Sequence, residues 1–360
     1  MPATSPASTA PLSFAPAILF LSQSPDIVAR SLKGAPVRLD EALPLRDDVS
    51  TDEITPLTIL THYDEKLGRY PYTGFRAGDA TPIAIDAVRA HRIEVVVAGK
   101  RYGKGSSREH SPAAEKLAGV RLVIAESFER IYRQNADNIG LFTSTDFGLI
   151  ERIRRGEAIP LHDLVAGRDV LAASILESGG LLRFGQLFMR DITVEPDAVD
   201  VRPRTLFEKI VARHALATEL TAAHPAAGDG AFVKADWRFI HEYYTGMAAH
   251  MLHGTFGRPL ALRDVASIIV FEDHTSYVEE SPAHVRGGLV PNVHRMVEAQ
   301  REFASTYALR THRTLSEAEA ESDDGSNIAG ISHAMMAERY ALPGQLVVGT
   351  DSHTPHSGAL

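Results

Sequence analysis

The chain contains no cysteine. That absence excludes a disulfide scaffold, and equally any zinc or iron–sulfur centre held by thiolates of this chain alone. No stretch approaches the roughly 18 consecutive apolar residues that a membrane-spanning helix needs, so no membrane partner is expected. Lysine and arginine are missing from the first segment, MPATSPASTAPLSFAPA. It lacks the basic start of a secretory signal and reads as a loose extension over residues 1–16, with the cytoplasm as the expected compartment. Positive charge is not in excess either: 37 Lys+Arg against 46 Asp+Glu leave a formal charge of -9, which argues against a general nucleic-acid binder. What is present is ordinary for a globular protein: 360 residues, 44% hydrophobic and 23% charged, enough for two domains with real cores. The 16 histidines are a supply of groups that titrate near neutral pH.

Along the chain, strands and helices alternate. Ala17–Ser22 is a short apolar run, and Pro25–Lys33 predicts a helix stopped by Gly34. Arg46–Pro56, RDDVSTDEITP, reads as a polar loop leading into a turn. Ile93–Ala98 and Arg121–Ala125 are β-branched enough for buried strands, with a glycine-bearing loop at Gly99–His110 and a helix at Pro112–Leu117 between them. Ser127–Asn138 predicts a further helix. Strand, loop, helix, strand is the α/β rhythm. Glu151–Asp200 reads as short strands and helices, Arg202–Arg204 as a linker, Thr205–Leu220 as a new helical element, and Ala222–Gly230 as a loop. Ala266–Val270 and Leu346–Gly349 predict strands that end on FEDHT and TDSHT, and Thr311–Asn327 reads as an exposed loop or helix edge. Polar residues just past the carboxyl ends of α/β strands are where such folds place ligands.

Two segments carry chemistry. In GKGSSREH, Gly103–His110, Ser106 and Glu109 have the spacing of a capping box at a helix start. The same helix end offers free N–H groups and a favourable dipole to an anion, and Arg108 adds a planar fork suited to carboxylate or phosphate. The spacing is not that of a nucleotide P-loop. The second set comprises Asp273–His274, Asp351–Ser352–His353, and His333 near an expected helix start. A carboxylate against an imidazole raises its pKa and fixes its tautomer, which makes a proton donor; Asp and His at such spacings also bind divalent metals. Each histidine taken alone is equally readable as a satisfied polar residue.

Together these segments resemble the aconitase and isopropylmalate dehydratase superfamily, from about Thr51 onward. GISHAMMAERYALPGQLVVGTDSHTPHSGAL, Gly330–Leu360, is similar to the catalytic-domain signature of that family. YGKGSSREH with ESFERIYRQNADNIGL, and STDEITP at Ser50–Pro56, resemble its swivel domain, and TLFEKIVARHA at Thr205–Ala215 resembles the opening of its catalytic domain. The resemblance implies an α/β fold: a swivel-type β/α domain over 17–202, then the first part of an aconitase-like α/β/α catalytic domain over 203–360, in an order reversed from mitochondrial-type aconitase. It implies a hydro-lyase that removes and re-adds water on a 2-hydroxy di- or tricarboxylic acid at a [4Fe–4S] cluster. Ser106 would be the base, stabilised electrostatically by the helix N-terminus, Lys104 and Arg108. Ser107 and Arg108 would hold substrate carboxylate, with Asp52 in support. Asp273–His274 would be one proton-handling pair, with His274 protonating the leaving hydroxyl; Asp351 would pair with His333, and His353 with a glutamate further along. Ser352 and His241, in FIHEYYTG, would contact substrate. The loop Leu57–Phe75, with Lys66 and Arg69, would select among citrate, isopropylmalate, homocitrate and dimethylmalate types, all of which stay open.

The three cluster cysteines of that family lie downstream of the DSHT motif. The resemblance therefore implies that they stand beyond Leu360, that the catalytic domain lacks its C-terminal portion here, and that this chain alone binds no cluster and turns over no substrate. Two other readings remain. One is a metal-dependent hydrolase with zinc or manganese on His274, His333, Asp351 and His353; the other is a non-catalytic, carboxylate-binding swivel module.

Overall fold

In a computed structural model, the described residues are 10–105, 108–188, 203–216, 225–275, 283, 287, 293–315, 317–322 and 329–358. They fall into two compact units, Met1–Arg190 and Asp191–Leu360. The linker expected at Arg202–Arg204 begins within 189–202, outside the described residues.

The first unit is built on four parallel strands, β1 (Ile18–Phe20), β2 (Val95–Ala98), β3 (Leu122–Ala125) and β4 (Phe142–Ser144), hydrogen-bonded in chain order. Successive side chains on a strand point to opposite faces. Val95, Val97, Leu122 and Ile124 pack on one face with Phe20, Leu149 and Ile153, while Val96, Ala98, Val123 and Ala125 pack on the other with Val28, Ile54 and Tyr72. Both faces are covered, so every residue of β2 and β3 is buried. That is why VVVA and LVIA read as unbroken apolar runs rather than alternating ones. The helix Pro25–Leu32 starts on proline and ends before Gly34, whose φ of +80° suits glycine.

The turn to which the loop of Arg46–Pro56 leads is helical: Thr51–Ile54 forms it, because Ser50 Oγ accepts the Glu53 N–H (3.1 Å) while Glu53 Oε2 accepts the Ser50 N–H (3.0 Å). One expectation for this unit is corrected. Between Glu151 and Phe188 the described residues form no strands; helices occupy Gly148–Arg154, Leu161–Leu164, Val170–Glu177 and Leu181–Phe188. Asp169 caps the third of these by accepting the N–H groups of Leu171 and Ala172.

Gly103, in the loop after β2, has a φ of +80°, and a Cβ added there would stand 2.2 Å from Tyr132 Cγ and 2.4 Å from Tyr132 Cβ. Those atoms are the root of a buried side chain and cannot swing aside. Gly103→Ala is therefore expected to destabilise this unit by roughly 1–3 kcal/mol, from crowding and backbone strain together. Thermal melting checks it, and an unchanged midpoint would count against the close approach.

The second unit holds a short antiparallel pair, β5 (Ala215–Leu216) with β6 (Phe232–Val233), and a four-stranded parallel sheet. The sheet comprises β7 (Trp237–His241), β8 (Ile268–Phe271), β9 (Arg310–His312) and β10 (Val347–Gly349), in the spatial order β10-β7-β8-β9. The chain steps from β7 to β8 to β9 in one direction, then returns to lay β10 on the other side of β7. Strand order thus reverses at β7, the place where open parallel sheets leave a crevice at their carboxyl ends.

The helix expected over Thr205–Leu220 runs from Leu206 to His214, started by a Thr205/Glu208 capping box, and the chain then enters β5. Residues 217–224, which include the start of the expected loop Ala222–Gly230, are outside the described set. The polar run at Thr311–Asn327 is not simply exposed: its first residues belong to β9, where His312 is buried, and Glu317–Ser322 is a helix. Residues 323–328 are not described. Among the described residues, no helix is long and apolar enough to cross a membrane.

Candidate functional site

The strand order decides which polar residues meet. His241 is the last residue of β7, Asp273 and His274 follow β8 by two and three residues, and Asp351 follows β10 by two. These three strands are neighbours and parallel, so their carboxyl ends converge. The Asp351 side chain, only 6% exposed, is bracketed by four histidines. Its Oδ2 lies 3.5 Å from His274 Nε2 and 3.9 Å from His241 Nε2. Its Oδ1 lies 3.5 Å from His333 Nδ1 and 3.4 Å from His353 Nδ1. The rings of His241 and His274 stack with centroids 4.1 Å apart.

Local hydrogen bonds hold this arrangement. The His353 N–H donates to Asp351 Oδ1 (2.6 Å) and Thr354 Oγ1 donates to the Asp351 carbonyl (2.6 Å), folding the chain into a tight turn after β10. Ser357 Oγ donates to the His333 carbonyl (3.0 Å), tying that turn to the helix Ser332–Arg339. Asp273 Oδ2 accepts the Ser332 N–H at the start of the same helix (2.8 Å). Its other oxygen stands 3.9 Å from His274 Nδ1, so His274 lies between two carboxylates and is closer to Asp351 than to its sequence neighbour. Ser352 Oγ is 3.1 Å from His353 Nδ1, and the His353 side chain is largely exposed.

Burial sets the electrostatics. His241 is 1% exposed, and burial, aided by the nearby His274, pushes its pKa down to about 2. Neither of its ring nitrogens has a hydrogen-bond partner among the described residues. Burial also lowers His333, against the opposing pull of Asp351. A neutral imidazole beside a carboxylate can take up, hold or pass a proton.

The first unit supplies the other predicted residues. Arg108 Nη1 donates to Asp52, so the carboxylate on the Thr51–Ile54 turn holds the guanidinium. Lys104 and Arg101 both pair with Asp48, and the hydrogen bond from Arg101 is the main cause that lowers the Asp48 carboxyl to about 2. The helix after the glycine loop begins at His110, with Glu109 at its N-cap and no side-chain cap. Ser106 and Ser107 themselves are outside the described residues. Further along that helix, Glu115 is fully buried and accepts hydroxyls from Tyr102 and Tyr132, each at 2.5 Å, and from Tyr72.

Residues 70–145 match the family model for the aconitase C-terminal domain, and residues 208–360 match that for the aconitase family (aconitate hydratase). The chain is 36% identical over 151 residues to the 3-isopropylmalate dehydratase small subunit 1 of Methanopyrus kandleri, covering 38% of this chain and 85% of that protein. It belongs to the aconitase and isopropylmalate dehydratase superfamily. A second relative in the superfamily is the isopropylmalate/citramalate isomerase small subunit of Methanocaldococcus jannaschii, 33% identical over 153 residues, 38% of this chain and 87% of the relative. The crystal structure of a 3-isopropylmalate dehydratase from the same organism aligns at 28% identity over 39% of this chain and 87% of the other, with a TM-score of 0.29.

Superfamily membership implies a [4Fe–4S] cluster, and the residues of this chain do not fit one. It has no cysteine, and the donors gathered at the strand ends are imidazoles and carboxylates. The members of the zinc or manganese set expected on His274, His333, Asp351 and His353 all lie around the Asp351 carboxylate, with His274 at Oδ2. His333 and His353 face Oδ1, while the donors lying within 4.8 Å of one another are those of His241, His274 and Asp351.

Glu242 escaped the sequence reading. Buried beside His241, it accepts the N–H of Asp273 (2.9 Å) and both the N–H (2.5 Å) and hydroxyl (2.9 Å) of Thr275, which fixes the loop bearing His274. Burial raises its pKa. The signal was an acidic residue directly following a strand-end histidine. His356 was missed too; its ring lies 5.0 Å from that of His333.

Proposed function

We propose that this chain carries proton-handling and carboxylate-binding residues of a hydro-lyase that interconverts 2-hydroxy di- or tricarboxylic acids and their unsaturated products. The observation that carries the proposal is the Asp351 carboxylate set among His241, His274, His333 and His353 at the carboxyl ends of β7, β8 and β10. Membership of the superfamily, and the relatives named as dehydratase or isomerase subunits, support the same reaction class. The swivel-type domain is assigned to 17–202 and the catalytic portion to 203–360.

In the dehydration direction a C–H and a C–O bond break, a C=C bond forms and water leaves. Ser106 is assigned to take the carbon-bound proton, and His274 to deliver a proton to the departing hydroxyl. Asp351 and Asp273 orient the His274 ring from its two nitrogens. Asp351 does the same for His333 and His353, which are assigned to proton relay with it. Arg108, held by Asp52, is assigned to a substrate carboxylate together with Ser107, and Ser352 and His241 to further substrate contacts.

The test is a panel of 2-hydroxy di- and tricarboxylates offered to the native protein, purified without air from its source. Formation of the unsaturated acid from at least one of them is expected; no turnover of any would overturn the assignment. Binding without turnover would favour the carboxylate-binding module instead. The 360 residues alone are expected to give no turnover, because they carry no thiolate for the cluster that this family generally uses.

A further inference from the structure

The ring of His241 calls for a partner that no hydrogen bond among the described residues supplies. Both its nitrogens are buried and unpartnered among the described residues, and its Nε2 points toward Asp351 Oδ2 at 3.9 Å. A buried polar group without a partner is a standing cost unless something binds it. His274 Nε2 reaches the same oxygen at 3.5 Å, and the donor atoms of the three residues lie within 4.8 Å of one another. Four ligands at bond lengths of about 2.0–2.1 Å around a tetrahedral ion stand roughly 3.4 Å apart. The three donors are therefore within reach of one ion, but the stacked rings of His241 and His274, 18° from parallel, must rotate out of their stack before both lone pairs converge on it.

We propose that His241, His274 and Asp351 form a binding site for one divalent ion of the zinc class. Two imidazoles and one carboxylate are borderline donors, suited to Zn²⁺ or Fe²⁺. Ca²⁺ and Mg²⁺ prefer shells of oxygen, and Cu⁺ prefers thiolate and thioether. Three protein ligands leave at least one position open for water or a carboxylate. The hydrogen bonds from Asp273, Thr275 and His353 hold the ligand-bearing loops in place before any ion arrives. The site does not depend on the hydro-lyase assignment. It competes with it at one atom, because the lone pair of His274 Nε2 can hold the ion or a proton but not both.

The experiment uses the 360-residue chain without substrate, so its outcome is separate from any assay of turnover. The chain is stripped with a chelator, dialysed against Zn²⁺, and its metal counted by elemental analysis. One ion per chain is expected. His241→Ala and His274→Ala should each weaken binding at least about 10-fold. His356→Ala, which alters a neighbouring histidine outside the donor set, should leave it unchanged. A folded chain that takes up no stoichiometric Zn²⁺, or one whose uptake survives His241→Ala, overturns the proposal. Should His241→Ala fail to fold, Co²⁺ in the parent chain decides. Intense visible bands of a low-coordinate nitrogen and oxygen site support the proposal, and the weak spectrum of the hydrated ion overturns it.

Discussion

Replacing Asp351 by asparagine is expected to lower kcat of the native enzyme by about 10²–10⁴-fold while leaving the fold intact. Asparagine matches the shape of aspartate, so the backbone turn after β10 keeps most of its contacts. It lacks the negative charge, and one of its two positions becomes a donor. That charge faces two imidazole nitrogens from each oxygen, at 3.5 and 3.9 Å on one side and 3.5 and 3.4 Å on the other. Removing it disturbs the orientation of all four rings at once. KM should change less than kcat if, as proposed, the carboxylate acts mainly on the histidines assigned to proton transfer rather than on substrate affinity. Steady-state kinetics with parallel melting curves check this. A variant that folds and keeps its rate within a factor of about three would remove Asp351 from the reaction.

The α/β class and the buried strands were legible because the signal is local. Val95–Ala98 and Leu122–Ala125 are short β-branched runs, and burial on both faces leaves them no polar alternation to confuse the reading. That the turn at Thr51–Ile54 is helical was not legible, for the opposite reason. Its residues are polar, and only the reciprocal hydrogen bonds of Ser50 and Glu53 turn them into helix. The histidine cluster was legible in part. DHT and DSH following apolar strands marked Asp273, His274 and Asp351, but which imidazole meets which carboxylate depends on strand order. Spatial neighbours β10, β7 and β8 are far apart along the chain, so nothing local could show that His241 joins His274 and Asp351 while His333 and His353 take the other oxygen. Glu242 was hidden by the same non-locality, since its partners lie on the loop after β8.

Glu115 gives the first unit a stability that should fall as pH rises through neutrality. Burial pushes its carboxyl up to about 7 from the ordinary 4.5, despite the phenol hydrogen bonds of Tyr102, Tyr132 and Tyr72 that pull it down. A folded-state pKa above the unfolded value means that the folded form keeps its proton longer. The contribution is fully present below pH 4.5 and is lost as pH rises through about 7. At about 1.4 kcal/mol per pKa unit, the loss amounts to roughly 3 kcal/mol, a large share of the stability of one domain. Other carboxylates contribute too: Asp48, whose pKa is lowered, adds stability that disappears only in acid, while Glu109, pushed up to about 7 by burial, acts in the same sense as Glu115. The measurement must therefore isolate Glu115. Glu115→Gln is close in shape, still accepts phenol hydroxyls at its carbonyl, and cannot titrate. Hydrogen exchange of the β2 and β3 amides, corrected for intrinsic rate, reports the opening of this unit at about pH 5 and about pH 8. The parent should lose roughly 2.5 kcal/mol more protection between these conditions than the glutamine variant, part of the effect being already lost at pH 5. Equal losses would mean that the three phenols hold the carboxylate ionised, and that the fold stores a buried charge beneath the loop that carries Arg108.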